Sequence, residues 1–462
     1  MVKMNLQKKQ EQIDKRHLVT LLSENYPLLS ILIGIALVSA TIGPFNNTDT
    51  QLEFDAASGV IRWGMPFMNA VGEMINQPPL GFYTEALFLK IFGLSYNTGV
   101  ALITLIGLGC SVLVYKVGKT LYGKPTALLA TALFALTPWQ FALSRSYLID
   151  AQCLFFSLFS LLVGIYAVRK DSFRLLMVSA VLFAVAFLTK FFAIFMLIPV
   201  ALFYFYNRQS KLKRKFVVVA YFLPVLFLLT LWYQLISGRG LISVIGIDDF
   251  TNYNTFVSAP SSFFLINFLL NGLGALFLLA VVLSLIVSFV RRRFFSKFLA
   301  FDLMCVITIL VVGSVNTLLA VGLNCGAPYM NPIKYNYQSL PFFSLLTASL
   351  VGKSLLLFDS VKLKEKWSKL LFSVAVVGLI LLAAAMFLNM NWVNEYSTWD
   401  HWLFKVESDQ NIGYAFLNPH PISKGSSLMG IQYLGFAVVL SGFLWAGRKK
   451  LGWLRELLYN DG

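Results

Sequence analysis

Apolar residues stand in long unbroken blocks along this chain, closed by short polar or basic stretches, and almost nowhere in the two-residue alternation of a half-buried strand. Twelve blocks are read, at 28–41, 98–116, 125–143, 148–168, 175–188, 191–206, 216–236, 263–290, 301–322, 339–357, 370–388 and 428–446. A perpendicular membrane helix needs roughly 20 apolar residues, so the shorter blocks mark span centres rather than ends. The pattern predicts an all-α polytopic membrane protein of about twelve transmembrane helices, as one domain over 1–462 with no separate soluble domain. A further apolar stretch, 81–92, would cover only about 18 Å as a helix, against a hydrocarbon core of about 30 Å. It follows Pro78-Pro79, which pre-sets a helix start, and reads as an interfacial helix inside the loop 45–97. The first block also has the form of a signal peptide, with Val38-Ser39-Ala40 as cleavage site; the long basic lead before it favours an uncleaved span.

Charge gives these spans a direction. With the N-terminus inside, the inner segments carry 29 of the 37 Lys and Arg residues, and the outer ones hold only Arg62, Lys90, Arg145, Lys190, Arg239, Lys334, Lys405 and Lys424. Basic loops stay cytoplasmic, so both termini are expected inside and the long loops 45–97, 237–262 and 389–427 outside. The net charge of +16 therefore reports orientation and contact with anionic lipid, and no nucleic-acid partner is expected. Composition agrees: 58% hydrophobic and 13% charged residues exclude both a soluble multidomain enzyme and a disordered chain. Three of the four cysteines, Cys110, Cys153 and Cys305, lie inside apolar runs, which offers no disulfide framework or zinc site.

Chemistry-bearing residues gather on the outer side. The first loop opens Asn47-Thr48-Asp49-Thr50 and continues through Glu53 and Asp55. On a helix Asp49 and Glu53 share a face and Asp55 points elsewhere. Further on stands Asn76-Gln77-Pro78-Pro79-Leu80-Gly81-Phe82-Tyr83. An acidic solvated loop with a rigid corner is the plainer reading of this segment. At the mouth of the fourth span lies Ser144-Arg145-Ser146-Tyr147-Leu148-Ile149-Asp150, where the Arg and Asp can pair with each other or snorkel. Lys190 stands alone between two apolar runs, placed either for a site or for lipid headgroups. Lys334 sits in Asn331-Pro332-Ile333-Lys334-Tyr335-Asn336-Tyr337-Gln338 before the tenth span. The last outer loop holds Trp392, Trp399, His401 and Trp402, an interfacial belt or a sugar platform. Carboxylates beside a few cations at an outer membrane face suit the transfer of a sugar from a lipid-linked phosphate. Cations hold the phosphate charge that develops, and a carboxylate takes the proton of the acceptor hydroxyl. The alternative is a transporter or flippase, whose charges would line a path near mid-membrane; an accessory membrane scaffold is a third reading.

These motifs resemble those of the GT-C superfamily of polyprenyl-phosphate-sugar-dependent glycosyltransferases, in particular glycosyltransferase family 39, which includes the protein O-mannosyltransferases and the lipid A aminoarabinose transferase. Asp49-Thr50 stands where the family has an Asp-Glu pair after the first span, Gly64 follows fifteen residues on, and Pro78-Pro79-Leu80-Gly81-Phe82-Tyr83 matches the proline motif. Leu87–Gly93, Arg145 with Asp150, and Leu188-Thr189-Lys190 match further segments. The resemblance implies the GT-C fold and an inverting transferase using a polyprenyl- or dolichyl-phosphate donor. It implies Asp49 as general base, Asp150 as a second catalytic carboxylate, and Arg145 and Lys190 as phosphate holders, with Lys334 beside them. Glu53, Gln77 and Tyr83 are the implied substrate contacts of the first loop. Two departures stand out: Thr50 replaces the usual Glu, whose role would pass to Glu53, and Gln77 stands where many members carry His or Lys. No cofactor is required by this reading, and neither a divalent metal, the sugar nor the acceptor is specified.

Overall fold

The structure, a computed structural model, describes residues 25–37, 39, 48–70, 72–75, 77–137, 140, 143–207, 212, 214–231, 282, 286, 296–322 and 337–360. The expected spans at 370–388 and 428–446, the loops 237–262 and 389–427, and nearly all of the 263–290 span lie outside the described residues. The chain divides into two compact units, Met1–Thr41 with Gly425–Gly462, and Ile42–Lys424. Within the first, α1 (Asn25–Leu37) is a short apolar helix.

The second unit holds everything else. It begins with α2 (Thr48–Trp63), a two-residue hairpin β1 (Phe67–Met68) and β2 (Glu73–Met74), and α3 (Leu80–Phe92). Then come α4 (Tyr96–Tyr122), α5 (Lys124–Leu136), α6 (Asp150–Arg169), α7 (Phe173–Thr189), a 3-10 helix Phe191–Met196, α8 (Leu197–Tyr206), α9 (Arg214–Thr230), α10 (Ser296–Gly322) and α11 (Leu340–Ser360). Among the described residues, α4 and α6 are long and apolar enough to cross a membrane.

Local chemistry explains the boundaries. Ser95 caps α4 by accepting from the Thr98 amide at 3.1 Å, and Ser172 caps α7 by accepting from Leu175 at 3.3 Å. Gly123, at φ +92, separates α4 from α5, a conformation that L side chains resist. The bundle packs α7 against α6, and α6 and α5 against α4, with Gly99 and Gly107 of α4 allowing close approach. An added methyl at Gly99 would fall 1.9 Å from the Tyr147 ring, and one at Gly107 2.6 Å from Ser144. Ser160, Ser179 and Tyr221 tie α6, α7 and α9 together, since a buried hydroxyl needs a partner.

The described residues of the 45–97 segment are folded and packed, unlike an open acidic solvated loop. Its helices α2 and α3 pack on one another and on the start of α6 through Ala56, Met68, Phe82 and Ile149. Ala57, Leu89, Val100 and Tyr147 form a second apolar cluster joining them to α4. The hairpin is a small exception to the all-α expectation: Phe67 pairs with Met74 and Met68 with Glu73, antiparallel. A two-residue strand leaves no readable alternation in sequence.

Candidate functional site

Three of the sequence motifs meet at one place. The corner Pro78-Pro79 ends the preceding turn and starts α3, so that Gly81 lies against residues just before Asp150 and Lys190. A Cβ added at Gly81 would sit 2.8 Å from Ile149 Cγ2 and 3.1 Å from Thr189 Cγ2. Lys190 ends α7 with an extended backbone, φ −158° and ψ 139°, which breaks the helix before the 3-10 turn. Its ammonium Nζ lies 2.6 Å from Asp150 Oδ2, both side chains at most 7% exposed. The lone lysine of the sequence is therefore in a buried ion pair. Asp150 pairs with Lys190, 40 residues on, and not with Arg145, five residues back.

Arg145 is half-buried and donates from Nη1 to Thr104 Oγ1 at 3.2 Å, on α4. Burial lowers its pKa without threatening its charge. Tyr83 donates its phenol proton to the Gly64 carbonyl at 2.7 Å, and burial raises its pKa. Gly64 ends α2 at φ +73, so the glycine and the tyrosine of the two motifs form one contact that fixes α3 to the end of α2. Gln77 is half-buried, its Oε1 shielded from solvent with no hydrogen-bond partner among the described residues. Asp49 lies in the first turn of α2, but its side chain is outside the description, as is all of Lys334.

Glu53, expected to share the outward role of Asp49, is turned inward. It is 2% exposed, and its Oε2 accepts the Ile149 amide at 2.8 Å. Asp55 points elsewhere, as the helical spacing requires, and accepts the Ala70 amide at 2.8 Å. Thr50, which replaces the usual Glu, is buried with its hydroxyl against Tyr96.

Several residues near this centre carried no motif. Glu85 of α3 is fully buried and accepts from Gln152 Nε2 at 2.7 Å. Burial, and then the Glu53 charge beside it, push its carboxyl well above the usual range. The Tyr147 hydroxyl turns toward Glu85 without completing a hydrogen bond of ordinary geometry. Gln338 donates to Cys153 Sγ at 3.3 Å, and Cys153 in turn reaches the Lys190 carbonyl. Tyr337 donates to Gln140. The Asn331–Gln338 motif thus reaches the centre through its last two residues. A lone acid inside an apolar stretch was the available signal for Glu85. The same holds for Asp302 of α10, buried with Lys353, Tyr122 and Ser349 around its carboxylate. Among the described residues, no three His, Cys, Asp or Glu side chains gather to hold a metal ion.

Comparison with known proteins bears on this arrangement. Residues 76–233 match the family model described as dolichyl-phosphate-mannose-protein mannosyltransferase. Two proteins of Bacillus subtilis (strain 168) are similar in sequence. The one named Putative mannosyltransferase YkcB is 29% identical over 163 residues, 35% of this chain and 23% of its own. The one named Putative mannosyltransferase YycA is 30% identical over 142 residues, 30% of this chain and 21% of its own. The matched segment thus spans less than a quarter of either relative. In structure the chain is similar to ArnT from Cupriavidus metallidurans in the apo state, with a TM-score of 0.53 and 14% identity, over 93% of this chain and 78% of that one. For ArnT bound to undecaprenyl phosphate the TM-score is 0.51 with 15% identity, over 92% and 78%. At such identity the likeness is one of fold. The resemblance read from the motifs is supported by the matched segment, which contains the proline corner, Arg145, Asp150 and Lys190, and the fold is similar to that of ArnT.

Proposed function

We propose, on the premise that the chain is a family 39-like member of the GT-C superfamily of glycosyltransferases, that it moves a sugar from a polyprenyl-phosphate donor to an acceptor hydroxyl at the extracytoplasmic face. The observation that carries this reading is the meeting of the proline corner with the buried Asp150–Lys190 pair, beside helices too short to span. A donor of this kind has its tail in the bilayer and its phosphate at the membrane edge, which is where a fixed ammonium serves it. In the reaction the acceptor oxygen attacks the anomeric carbon from the face opposite the phosphate, so the configuration inverts. Asp49 takes the hydroxyl proton, and the sugar–phosphate bond breaks with both electrons going to the phosphate. Lys190, held by Asp150, and Arg145 meet that charge, the guanidinium offering two parallel hydrogen bonds and the ammonium a point charge. Phosphate leaves readily as an anion, so no second carboxylic acid is needed to protonate it.

The test is turnover of a labelled polyprenyl-phosphate sugar by the purified chain in proteoliposomes, with release of the free lipid phosphate. Asp49→Asn is expected to lower turnover by about 10²–10⁴-fold while leaving donor binding in place. Movement of the intact lipid-linked sugar across the bilayer without bond cleavage would replace this reading with that of a flippase.

A further inference from the structure

We infer that Glu53 and Glu85 are positioning residues that clamp the first turn of α6, and through it hold the Asp150–Lys190 pair. The inference rests on the proposed site but not on the identity of sugar or acceptor. The start of α6 needs such help. Its N-cap is Ile149, whose side chain has nothing to offer the unpaired amides of the first turn. A carboxylate from another helix takes that place: Glu53 of α2 accepts the Ile149 amide, at the end of the helix where negative charge is favoured. One turn into α6, Glu85 of α3 accepts from the Gln152 side chain. The two short helices of the first loop therefore each grip α6 on either side of Asp150. Gly81 removes the bulk that would keep α3 away from Ile149.

Burial forces a division of labour between the two carboxyls. Two adjacent ionised carboxylates out of water repel strongly. Glu53 offers the Ile149 amide an oxygen acceptor from α2, a role set by its reach more than by its charge. Glu85, buried deepest and pushed upward by Glu53, gains most from its proton, and its second oxygen then has a hydrogen to direct toward Tyr147. Asp150 is thus held by its backbone from below and by Lys190 at its tip, which fixes the ammonium in turn.

This role and a substrate-facing role for Glu53 predict opposite orders for two conservative variants. Glu53→Gln keeps an oxygen acceptor at the same reach and loses the charge. Glu53→Asp keeps the charge and withdraws it by about 1.5 Å, one carbon–carbon bond. If Glu53 positions, E53D is the more damaging, with turnover falling by up to about 10²-fold, the scale of a misplaced catalytic group; E53Q retains most of the parent's rate. Acylation of Lys190 by N-acetoxysuccinimide, followed by mass spectrometry, reads the clamp without any substrate. E53D and Glu85→Ala should speed that labelling over the parent, and E53Q and Glu85→Gln should leave it close to the parent. The reverse order in turnover, or equal Lys190 labelling in all four variants, overturns the inference. A parent chain that transfers no sugar but shows the expected labelling order overturns the proposed reaction and leaves the clamp standing.

Discussion

Asp150 and Lys190 form an ion pair at 2.6 Å with side chains no more than 7% exposed, and removing one partner should be far more costly than removing both. An exposed pair would be worth about 0–1 kcal/mol, because water and salt replace either partner. Here neither can. Asp150→Asn leaves an ammonium with its main anionic partner gone, and breaking a buried pair from one side typically costs about 3–5 kcal/mol. Against a total stability of about 5–15 kcal/mol, that is a large fraction of what holds the fold. Lys190→Met strands the carboxylate with a similar penalty. The double variant places an amide opposite a thioether, leaves no bare charge, and should lose only about 1–2 kcal/mol. The coupling energy of the cycle is then at least about 4 kcal/mol. Equilibrium unfolding of the four proteins in mixed detergent micelles, denatured with sodium dodecyl sulfate, measures it. Single variants within about 1 kcal/mol of the parent, with an additive double, would falsify the pair as a buried one. Water would then be screening the pair in the substrate-free protein, and its description as a buried pair would have to go.

Glu85 gives a pH signature. Because its carboxyl is raised in the fold, the folded state holds a proton that the unfolded state has released, and stability is lost as pH climbs above the usual 4.5. Glu85→Gln removes that loss, so its advantage over the parent should be absent in acid and grow toward alkali by at most about 1.4 kcal/mol per pH unit. Parallel stability curves would show that the carboxyl titrates normally. Gly81→Ala should cost turnover more than stability. The added methyl meets Ile149 and Thr189, worth about 1–3 kcal/mol of crowding, while alanine returns about 1 kcal/mol of helix preference. Unchanged turnover would mean that α3 need not touch α6 for activity. For orientation, Asn69→Cys on the exposed hairpin turn should react with an impermeant thiol reagent from outside intact cells; Ser58 in the same loop is 3% exposed and would report burial instead. Labelling at Asn69 only after lysis would invert the topology read from the basic residues.

The helices were legible where apolar blocks are bounded by charge or by Pro and Gly. The block at 148–168 becomes α6 (Asp150–Arg169), and 81–92 becomes α3 (Leu80–Phe92). Both ends are written in local chemistry, the doubled proline on one side of α3 and Gly93 at φ +106 on the other. Residue types at the site were legible too, since a charge inside an apolar run is costly wherever it goes. Their partners were not. Sequence offers Arg145 to Asp150 as a neighbour five positions away, and the bundle instead brings up Lys190 from the far end of the next helix. The same limit hid Glu85 and Asp302, each a lone acid whose partner comes from another helix. Lys353, a basic residue within the 339–357 block, is likewise buried against Asp302 from another helix.

The two cations of the site also divide their work in a way that the chain order conceals. Lys190 has a permanent counter-charge, so an arriving phosphate adds a second anion to a pair that is already neutral. Its gain from that encounter is limited to what the ammonium's remaining donors can supply. Arg145 donates to the hydroxyl of Thr104, and its planar guanidinium can meet a phosphate with two parallel hydrogen bonds. In the proposed reaction both cations meet the leaving charge, Arg145 with a planar fork and Lys190, held by Asp150, as a point charge. A phosphate bound between them would be gripped on one side by the guanidinium fork and on the other by an ammonium whose charge Asp150 already offsets. That asymmetry suits an enzyme that must release a lipid phosphate after every turn.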